Sequence, residues 1–204
     1  MTNQPQNRRW ILRKRPEADI TADHLELVTA PVPDLQDDQV LVRNIYLSLD
    51  PTHRLWMSDR EQYLPPVQVG DVMRGGTLGV VEHSRSDRFQ PGDIVKPMVG
   101  GWEAYTVADG RMVRPVDRHP EIPLSAYMSV LGSTGITAYF GLLDIGQPQP
   151  GETLVVSAAA GAVGSIVGQI GKLKGCRVVG IAGGPEKCRW LTEELGFDGA
   201  IDYR

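Results

Sequence analysis

Short runs in which apolar and polar residues alternate make up most of the first part of the chain. Alternation at every second residue is typical of half-buried β-strands. In the longest run, one face carries Val40, Val42 and Asn44, and the other carries Leu41, Arg43, Ile45 and Leu47. The predicted strands span residues 8–12, 25–30, 40–49, 77–82, 93–98 and 103–108, with glycine or proline turn signals at 75–76, 91–93 and 100–101. Several short strands separated by such turns predict a small β-barrel or sandwich.

After about residue 125 the pattern changes to a β-α-β-α alternation, which is typical of a parallel sheet packed against helices. We predict helical pieces over 125–143, broken around 132–135, followed by strand 153–157, helix 163–174, strand 177–181, a helix from Pro185 and strand 200–203. Gly175 and Gly196 suit the ends of the two later helices. The expected buried faces of these helices carry Val163, Ile166, Val167, Ile170 and Leu173 in the first, and Cys188, Leu191 and Leu195 in the second. The chain is therefore expected to divide into a β-rich domain, residues 1–125, and an α/β region, residues 126–204.

Composition argues against several classes of protein. The chain is 41% hydrophobic and 23% charged, with a net charge of −4. Because no basic face dominates, nucleic acid and anionic membranes are not expected as partners, and no apolar run is long enough to span a bilayer. The first ten residues lack the apolar core of a secretory signal. The two cysteines do not make a disulfide framework, so a reducing, cytoplasmic setting is expected.

A metal site is also not expected. The four histidines lack the spacing of metal ligands. Cys176 and Cys188 both lie in the α/β region, where packing in the core is the more common role for a free cysteine. The charged segment 109–117 is interpreted as a solvated loop. The sequence therefore predicts chemistry that does not depend on a metal ion.

One motif carries the chemistry. Residues 158–164 read Ala-Ala-Ala-Gly-Ala-Val-Gly, with Ala158, Gly161 and Gly164 at the spacing of a dinucleotide fingerprint. The motif directly follows a predicted strand and opens a predicted helix. Small residues let the backbone approach a pyrophosphate, and the N–H groups of Ala162 and Val163 would lie at the positive end of that helix. A glycine pattern alone is often only a strand-to-helix turn, but the surrounding strands and helices favour cofactor binding.

The end of the second parallel strand favours NADP(H) over NAD(H). An NAD site usually places an acidic residue there, whereas residues 182–184 are Ala-Gly-Gly. Lys187 and Arg189 follow within one turn and can meet a 2′-phosphate. Glu186 is the opposing observation, although an acid also suits the first turn of a helix. The alternative for Lys187 is an ordinary solvated lysine.

Several segments together carry a family resemblance. Residues 158–176, 7–10, 46–51, 137–146 and 195–198 resemble the zinc-independent, NADP-dependent branch of the medium-chain dehydrogenases/reductases, which includes leukotriene hydroxydehydrogenase/prostaglandin reductases and curcumin reductases. The resemblance implies a GroES-like β-barrel catalytic domain followed by a Rossmann doubly wound parallel sheet. It implies NADPH-dependent reduction of the C=C bond of α,β-unsaturated ketones and aldehydes without a metal, and a homodimer for the full-length protein.

The resemblance also implies roles for single residues. Thr137 would face the nicotinamide, Gly161 to Gly164 would contact the pyrophosphate, Lys187 would bind the 2′-phosphate, and Tyr203 would lie against the phosphate end of the cofactor. Two departures concern the substrate. Thr52 replaces a tyrosine that family members often have after the Asp-Pro pair, and we predict that its hydroxyl is the catalytic donor to the substrate carbonyl. Residues 131–135 read Leu-Gly-Ser-Thr-Gly, where family members commonly have Leu-Gly-Met-Pro-Gly.

Three functions remain open at this stage: an NADPH-dependent enone reductase, a quinone or aldehyde reductase of the same superfamily, and a nucleotide-binding protein without turnover. The length bears on this choice. The 54 residues from Gly151 onward suffice for three strands and two helices, whereas a Rossmann domain has six strands in its common form. We therefore expect the parallel sheet to be incomplete, and these 204 residues alone to associate and to have little reductase activity.

Overall fold

A computed structural model describes residues 5–204, and the chain divides into two compact units, Met1–Ile122 and Pro123–Arg204. The sequence pattern places the change of architecture at about residue 125. The first unit contains a single short α-helix among its described residues and nine strands, whereas the second contains three strands and most of the helical residues.

The first unit is built around a curled antiparallel sheet of five strands in the order β8-β3-β5-β6-β9. Its strands in chain order are β1 (Gln6–Leu12), β2 (Leu25–Pro31), β3 (Gln39–Leu47), β4 (Arg74–Gly75), β5 (Thr77–Ser84), β6 (Ile94–Pro97), β7 (Gly100–Gly101), β8 (Tyr105–Asp109) and β9 (Val113–Pro115). Two smaller antiparallel sheets pair β1 with β2 and β4 with β7. All six predicted strands are confirmed, although β3 ends at Leu47 and is followed by helix α1 (Thr52–Trp56), which the sequence pattern did not predict.

The pairing of β3 with β5 is irregular. The register between β3 and β5 shifts between Leu41 and Val42, and again between Asn44 and Tyr46. A β-bulge of this kind turns consecutive side chains away from their expected faces. Val40 and Val42 nonetheless lie in one core cluster, as predicted, and Leu41 is buried outside that cluster.

Two predicted loop features of the first unit are wrong. The glycine pairs taken as turns at 75–76 and 100–101 contribute to a paired ribbon, in which Arg74 faces Gly101 and Gly75 faces Gly100. The segment 109–117 is not simply a solvated loop, because it contains β9, which pairs with β6 and buries Val113. In both cases the strand is very short, and its pairing partner is distant in the sequence.

The second unit is a β-α-β-α-β arrangement with a parallel sheet in the order β10-β11-β12. Its elements are a 3₁₀-helix (Leu124–Met128), α2 (Ser133–Phe140) continued by π-helical turns (Gly141–Gly146), β10 (Thr153–Val156), α3 (Ala162–Leu173), β11 (Arg177–Ala182), α4 (Pro185–Arg189) continued by π-helical turns (Trp190–Glu194), and β12 (Gly199–Asp202). The predicted order is confirmed. The break between the early helical pieces lies just before Ser133, so Gly135 is inside α2. Gly175 and Gly196 have the positive φ angles of helix C-terminal residues.

The predicted buried face of α3 is wrong in part. Leu173 is 87% exposed, and Val163 is 38% exposed. The residues that face the sheet closely are glycines: a Cβ atom on Gly168 would overlap the ring of Phe197, and one on Gly171 would lie 2.5 Å from Leu154. Of the predicted stripe, Val167 packs against the core. Glycines bring the helix axis close to the strands, so small residues rather than the largest apolar ones form the contact.

The core of the second unit lies between the sheet and its helices. Its buried members are Val156, Ala159, Cys176, Val178, Ala182, Leu191 and Phe197. Leu191 is fully buried, and Cys188 and Leu195 pack against the same cluster, which confirms the predicted stripe of the later helix. The other side of the strands is more open, with Val155 56% exposed and Ile201 50% exposed. Across residues 5–204, no helix has the length and apolar character needed to cross a membrane.

Candidate functional site

The turn between β10 and α3 has the geometry of an anion-binding loop. Ala158 has φ +48°, a left-handed conformation that costs a non-glycine residue about 1–2 kcal/mol. The N–H of Gly161 donates to the carbonyl oxygen of Ala158 at 2.8 Å, and the N–H of Ala159 donates to Ile181 on β11 at 3.0 Å. These bonds hold the turn against the neighbouring strand in a conformation that the sequence alone would not favour.

The N-terminus of α3 is open toward this turn. Gly161 is the N-cap residue, and no side chain caps the helix there. The first N–H groups of a helix have no partner within the helix, so those of Ala162, Val163 and Gly164 are donors at its positive end. Ala158, Gly161, Ala162 and Val163 are exposed, and Gly164 is partly exposed. The structure thus brings the five residues of the predicted fingerprint together in one accessible turn.

Close approach also explains the last glycine of the motif. A Cβ atom on Gly164 would lie 2.5 Å from the carbonyl oxygen of Ala158 and 2.9 Å from the Cα atom of Ala159. Contacts this short do not occur for real Cβ atoms. Glycine at this position therefore allows the first turn of α3 to pack directly on the strained turn, and the donors stay where an anion can reach them.

The end of β11 forms a second accessible feature of the same unit. A Cβ atom on Gly183 would lie 2.6 Å from the phenol oxygen of Tyr203 and 3.0 Å from Nε of Arg204. The Tyr203 and Arg204 side chains therefore lie directly beside the Ala-Gly-Gly segment that the sequence analysis assigned to cofactor selection. Lys187 is exposed on α4, which begins immediately after this segment.

Asp202 shapes the end of β11 and was not singled out from the sequence. Its Oδ1 atom accepts hydrogen bonds from the N–H of Gly184 at 2.7 Å and from the N–H of Arg204 at 3.1 Å. The bond from Gly184, followed by that from Arg204, lowers the pKa of the Asp202 carboxyl below its ordinary range. The Asp202 carboxylate is thus engaged with backbone donors. Arg204 also escaped the sequence analysis, although its place after the third parallel strand could have indicated it.

Thr137 lies on α2, whose residues contact α3. Its side chain is exposed, and its hydroxyl donates to the carbonyl oxygen of Ser133 at 2.8 Å. Thr137 therefore belongs to a helix that contacts α3. Its role at the nicotinamide stays a prediction.

Thr52 lies in the first unit, at the N-terminus of α1 after Pro51. Its Oγ1 atom is 2.7 Å from the phenol oxygen of Tyr63, so the two hydroxyls share a hydrogen bond. Sequence reasoning missed Tyr63, because it lies eleven residues later in a segment without helix or strand periodicity. The side chain of Thr52 is partly exposed, and that of Tyr63 is 70% exposed.

The residue after Thr52, His53, is buried in an aromatic cluster. His53 is 3% exposed, and its ring packs between Trp56 and Trp102, at centroid distances of 5.1 Å and 5.3 Å. The N–H of Asp50 donates to its Nδ1 atom at 3.2 Å. Burial lowers the pKa of His53 and so favours a neutral imidazole. The negative charge of Asp50 opposes this shift but is the smaller effect. His53 therefore has a packing role next to Thr52 in the sequence.

The potential metal ligands do not converge. Within residues 5–204, no three histidine, cysteine, aspartate or glutamate side chains form a group that could hold a metal ion. Cys176 is buried in the core of the second unit, and Cys188 packs against the same core, which confirms the predicted packing role of both.

These features define a chain of two units, the second of which carries a dinucleotide-type turn. Residues 8–116 match the family described as the N-terminal domain of oxidoreductase, and because this match covers more than half of the chain, the chain belongs to that family.

The chain is similar to the NADPH-dependent curcumin reductase of Escherichia coli, with 51% identity over 97% of this chain and 56% of that protein. It is 42% identical to mouse prostaglandin reductase 1, over 98% of this chain and 58% of that protein. Its structure matches CurA from Vibrio vulnificus in complex with NADPH, with a TM-score of 0.89 and 47% identity over 97% of this chain and 58% of that one.

The matches confirm the predicted membership of the zinc-independent medium-chain dehydrogenase/reductase branch and the predicted fold, a GroES-like curled antiparallel sheet plus the parallel strands of a Rossmann domain. The chain spans somewhat more than half the length of the relatives it matches.

Proposed function

We propose that the full-length protein is an NADPH-dependent oxidoreductase that reduces the C=C bond of α,β-unsaturated ketones and aldehydes without a metal ion. The observation that carries the proposal is the open N-terminus of α3 against the Ala158 turn, which offers several N–H donors to a pyrophosphate. The names of the two relatives described above, a curcumin reductase and a prostaglandin reductase, support the choice of substrate class.

The second unit fits NADPH at two places. The turn at Ala158 and Gly161 presents backbone donors to the pyrophosphate, and Gly164 leaves room for the close approach. The end of β11 offers Lys187, Tyr203 and Arg204 to the 2′-phosphate, while its own residues carry no acid. When bound, NADPH supplies the hydride that is added to the β-carbon of the substrate.

In the first unit, the proposed role of Thr52 is to donate a hydrogen bond to the substrate carbonyl oxygen. Negative charge grows on that oxygen as the β-carbon receives a hydride, so a donor placed there lowers the barrier. A proton taken from solvent water and added at the α-carbon then completes the saturated product. Thr52 is partly exposed, which leaves its hydroxyl accessible to a small molecule.

A quinone or aldehyde reductase and a nucleotide-binding protein without turnover are the competing functions. The test is steady-state NADPH oxidation by the purified full-length protein with an enone, a quinone, a saturated aldehyde and no acceptor. We expect turnover with the enone and formation of the saturated carbonyl compound. Turnover with only the quinone or only the saturated aldehyde would assign the protein to another reductase class. NADPH binding without turnover would identify a nucleotide-binding protein that is not an enzyme.

The remaining parts of the proposal concern setting and assembly. Cys176 and Cys188 are both free thiols, which supports a reducing, cytoplasmic compartment. The partner is a small unsaturated carbonyl compound, and the full-length protein is predicted to be a homodimer. The oligomeric state is measured by sedimentation of the full-length protein.

A further inference from the structure

A second hydroxyl lies against the predicted catalytic residue. The phenol oxygen of Tyr63 is 2.7 Å from Oγ1 of Thr52, which is a normal distance for a hydrogen bond between two hydroxyls. Both groups belong to the first unit, and both are accessible from solvent. The pair contains two hydroxyl hydrogens. One is used between the two residues, and the other remains for a substrate.

Several contacts hold Tyr63 in place although its segment has no regular secondary structure. The side chain of the preceding residue, Gln62, donates to the carbonyl oxygen of Leu55 on α1 at 3.0 Å. The N–H of Val67 donates to the carbonyl oxygen of Trp56 at 2.9 Å. The ring of Tyr63 also meets the ring of Trp56 edge to face, with the centroids 6.5 Å apart. The segment after α1 is thus fixed to the same helix that begins at Thr52.

Trp56 is itself fixed. It is 9% exposed, its ring packs on His53, and the guanidinium carbon of Arg74 lies 5.2 Å from its ring centroid. Arg74 also donates a hydrogen bond to the carbonyl oxygen of Pro65 at 3.0 Å. This bond holds the backbone in place two residues after Tyr63. The phenol of Tyr63 is therefore preorganised by a packed support.

We propose that Tyr63 is a positioning residue that acts through Thr52, an assignment that rests on the proposed reductase function. A phenol is a stronger acid than an aliphatic alcohol, so the Tyr63 hydroxyl donates and Thr52 Oγ1 accepts. Accepting this bond fixes the χ1 rotamer of Thr52 and polarises its own O–H. The Thr52 hydrogen is then directed toward the substrate carbonyl oxygen. The hydrogen bond thereby restricts the Thr52 hydroxyl to one orientation, whereas the free side chain could adopt several rotamers.

The test is a double-mutant cycle in the full-length protein with an enone and NADPH. Tyr63→Phe keeps the ring contact with Trp56 and removes the hydroxyl alone. We expect it to lower kcat by about threefold to about tenfold, the effect of one neutral hydrogen bond, with the KM for NADPH unchanged. Thr52→Val should lower kcat by about a hundredfold or more. In the Thr52→Val background, Tyr63→Phe should have no further effect.

Tyr46→Phe is the matched control, since it also removes the hydroxyl of an exposed tyrosine from the first unit, and the described residues provide that hydroxyl with no side-chain hydrogen bond. We expect wild-type kinetics for this variant. Equal rates for Tyr63→Phe and the wild type would overturn the role of Tyr63 and leave the proposed function intact. A loss of the same size in both Thr52 backgrounds would assign Tyr63 to folding and also overturn the proposal. A wild-type protein that reduces no enone would contradict the proposed function itself, and this assignment with it.

Discussion

The carbonyl oxygen of Ala158 lies 2.5 Å from the position that a Cβ atom on Gly164 would occupy. The strained turn and the first turn of α3 are therefore in direct backbone contact. This contact places the N–H groups at the start of α3 beside the turn, and it makes Gly164 a packing requirement as well as part of the proposed binding site.

Gly164→Ala should disrupt this contact. The added methyl group forces α3 away from Ala158, so we expect the free energy of unfolding to fall by about 1–3 kcal/mol and the Kd for NADPH to rise at least about tenfold. Denaturant unfolding and a fluorescence titration with NADPH measure the two effects. Gly141→Ala is the control, since no atom lies within 4 Å of its Cβ position and its backbone is helical. A Gly164→Ala protein that binds NADPH as the wild type does would show that the close approach is not required.

Lys187→Ala should weaken NADPH binding much more than NADH binding. A charge-assisted hydrogen bond to the 2′-phosphate contributes roughly 1.5–3 kcal/mol, so we expect a loss of about tenfold to about a hundredfold for NADPH alone. Lys174→Ala is the matched control, because Lys174 is also exposed but lies at the far end of α3 from the turn. Equal losses for both cofactors would assign Lys187 to folding or to general electrostatics.

Glu103 should make stability depend on pH. Burial raises the pKa of its carboxyl group, although hydrogen bonds from Asn7 at 2.9 Å and Thr106 at 3.0 Å oppose this shift. Because the folded-state pKa lies above the unfolded-state value, the contribution to stability is fully present at acid pH and is lost as the pH rises through the raised pKa.

Glu103→Gln removes this ionisation. We expect the unfolding free energy of the wild type to include a decline from about pH 4 to about pH 8 that is absent in the variant, measured by denaturant unfolding at each pH. Glu121→Gln, at an exposed position of the same unit, should leave the wild-type profile unchanged. Parallel profiles for Glu103→Gln and the wild type would contradict the assigned cause.

The open side of the parallel sheet should make the 204-residue chain associate. Val155 pairs with Val179, and Ile181 pairs with Ile201, so these four apolar residues share one side of three adjacent strands. We expect concentration-dependent association in sedimentation velocity, and a reduction in the variant Val155→Lys/Ile201→Lys. Leu173→Lys, which replaces a more exposed apolar residue on α3, should not change it. A monomer at all concentrations would contradict this prediction.

Elemental analysis should find no stoichiometric zinc in the purified full-length protein, and a chelator should leave its activity unchanged. The expectation rests on the ligand spacing, since both cysteines are occupied in the core of the second unit. One zinc ion per chain would contradict it.

Local patterns predicted much of this structure, and long-range contacts account for what they missed. The period of the strands, the helix-ending Gly175 and the fingerprint at Gly161 depend on neighbours in sequence, and they were predicted. The ribbon of Gly75 and Gly100 depends on pairing across many residues. The close packing of α3 depends on the approach of Gly168 to the ring of Phe197, which lies far from it in the sequence.

The candidate site shows the same division. The residues of the turn before α3 lie within seven positions of one another, 158–164, and were predicted as a set. The hydrogen bond between Thr52 and Tyr63 crosses an irregular segment, and no period of the sequence indicates it. Arg204 is close to Gly183 only because β11 and β12 are paired.

The most direct test of the account follows the hydride. The full-length protein is incubated with an enone and NADPH that carries deuterium at the transferable position of the nicotinamide, and the product is analysed by NMR. The account predicts a saturated ketone with one deuterium on the β-carbon. An allylic alcohol with deuterium on the carbonyl carbon, or NADPH oxidation without a deuterated product, would contradict it.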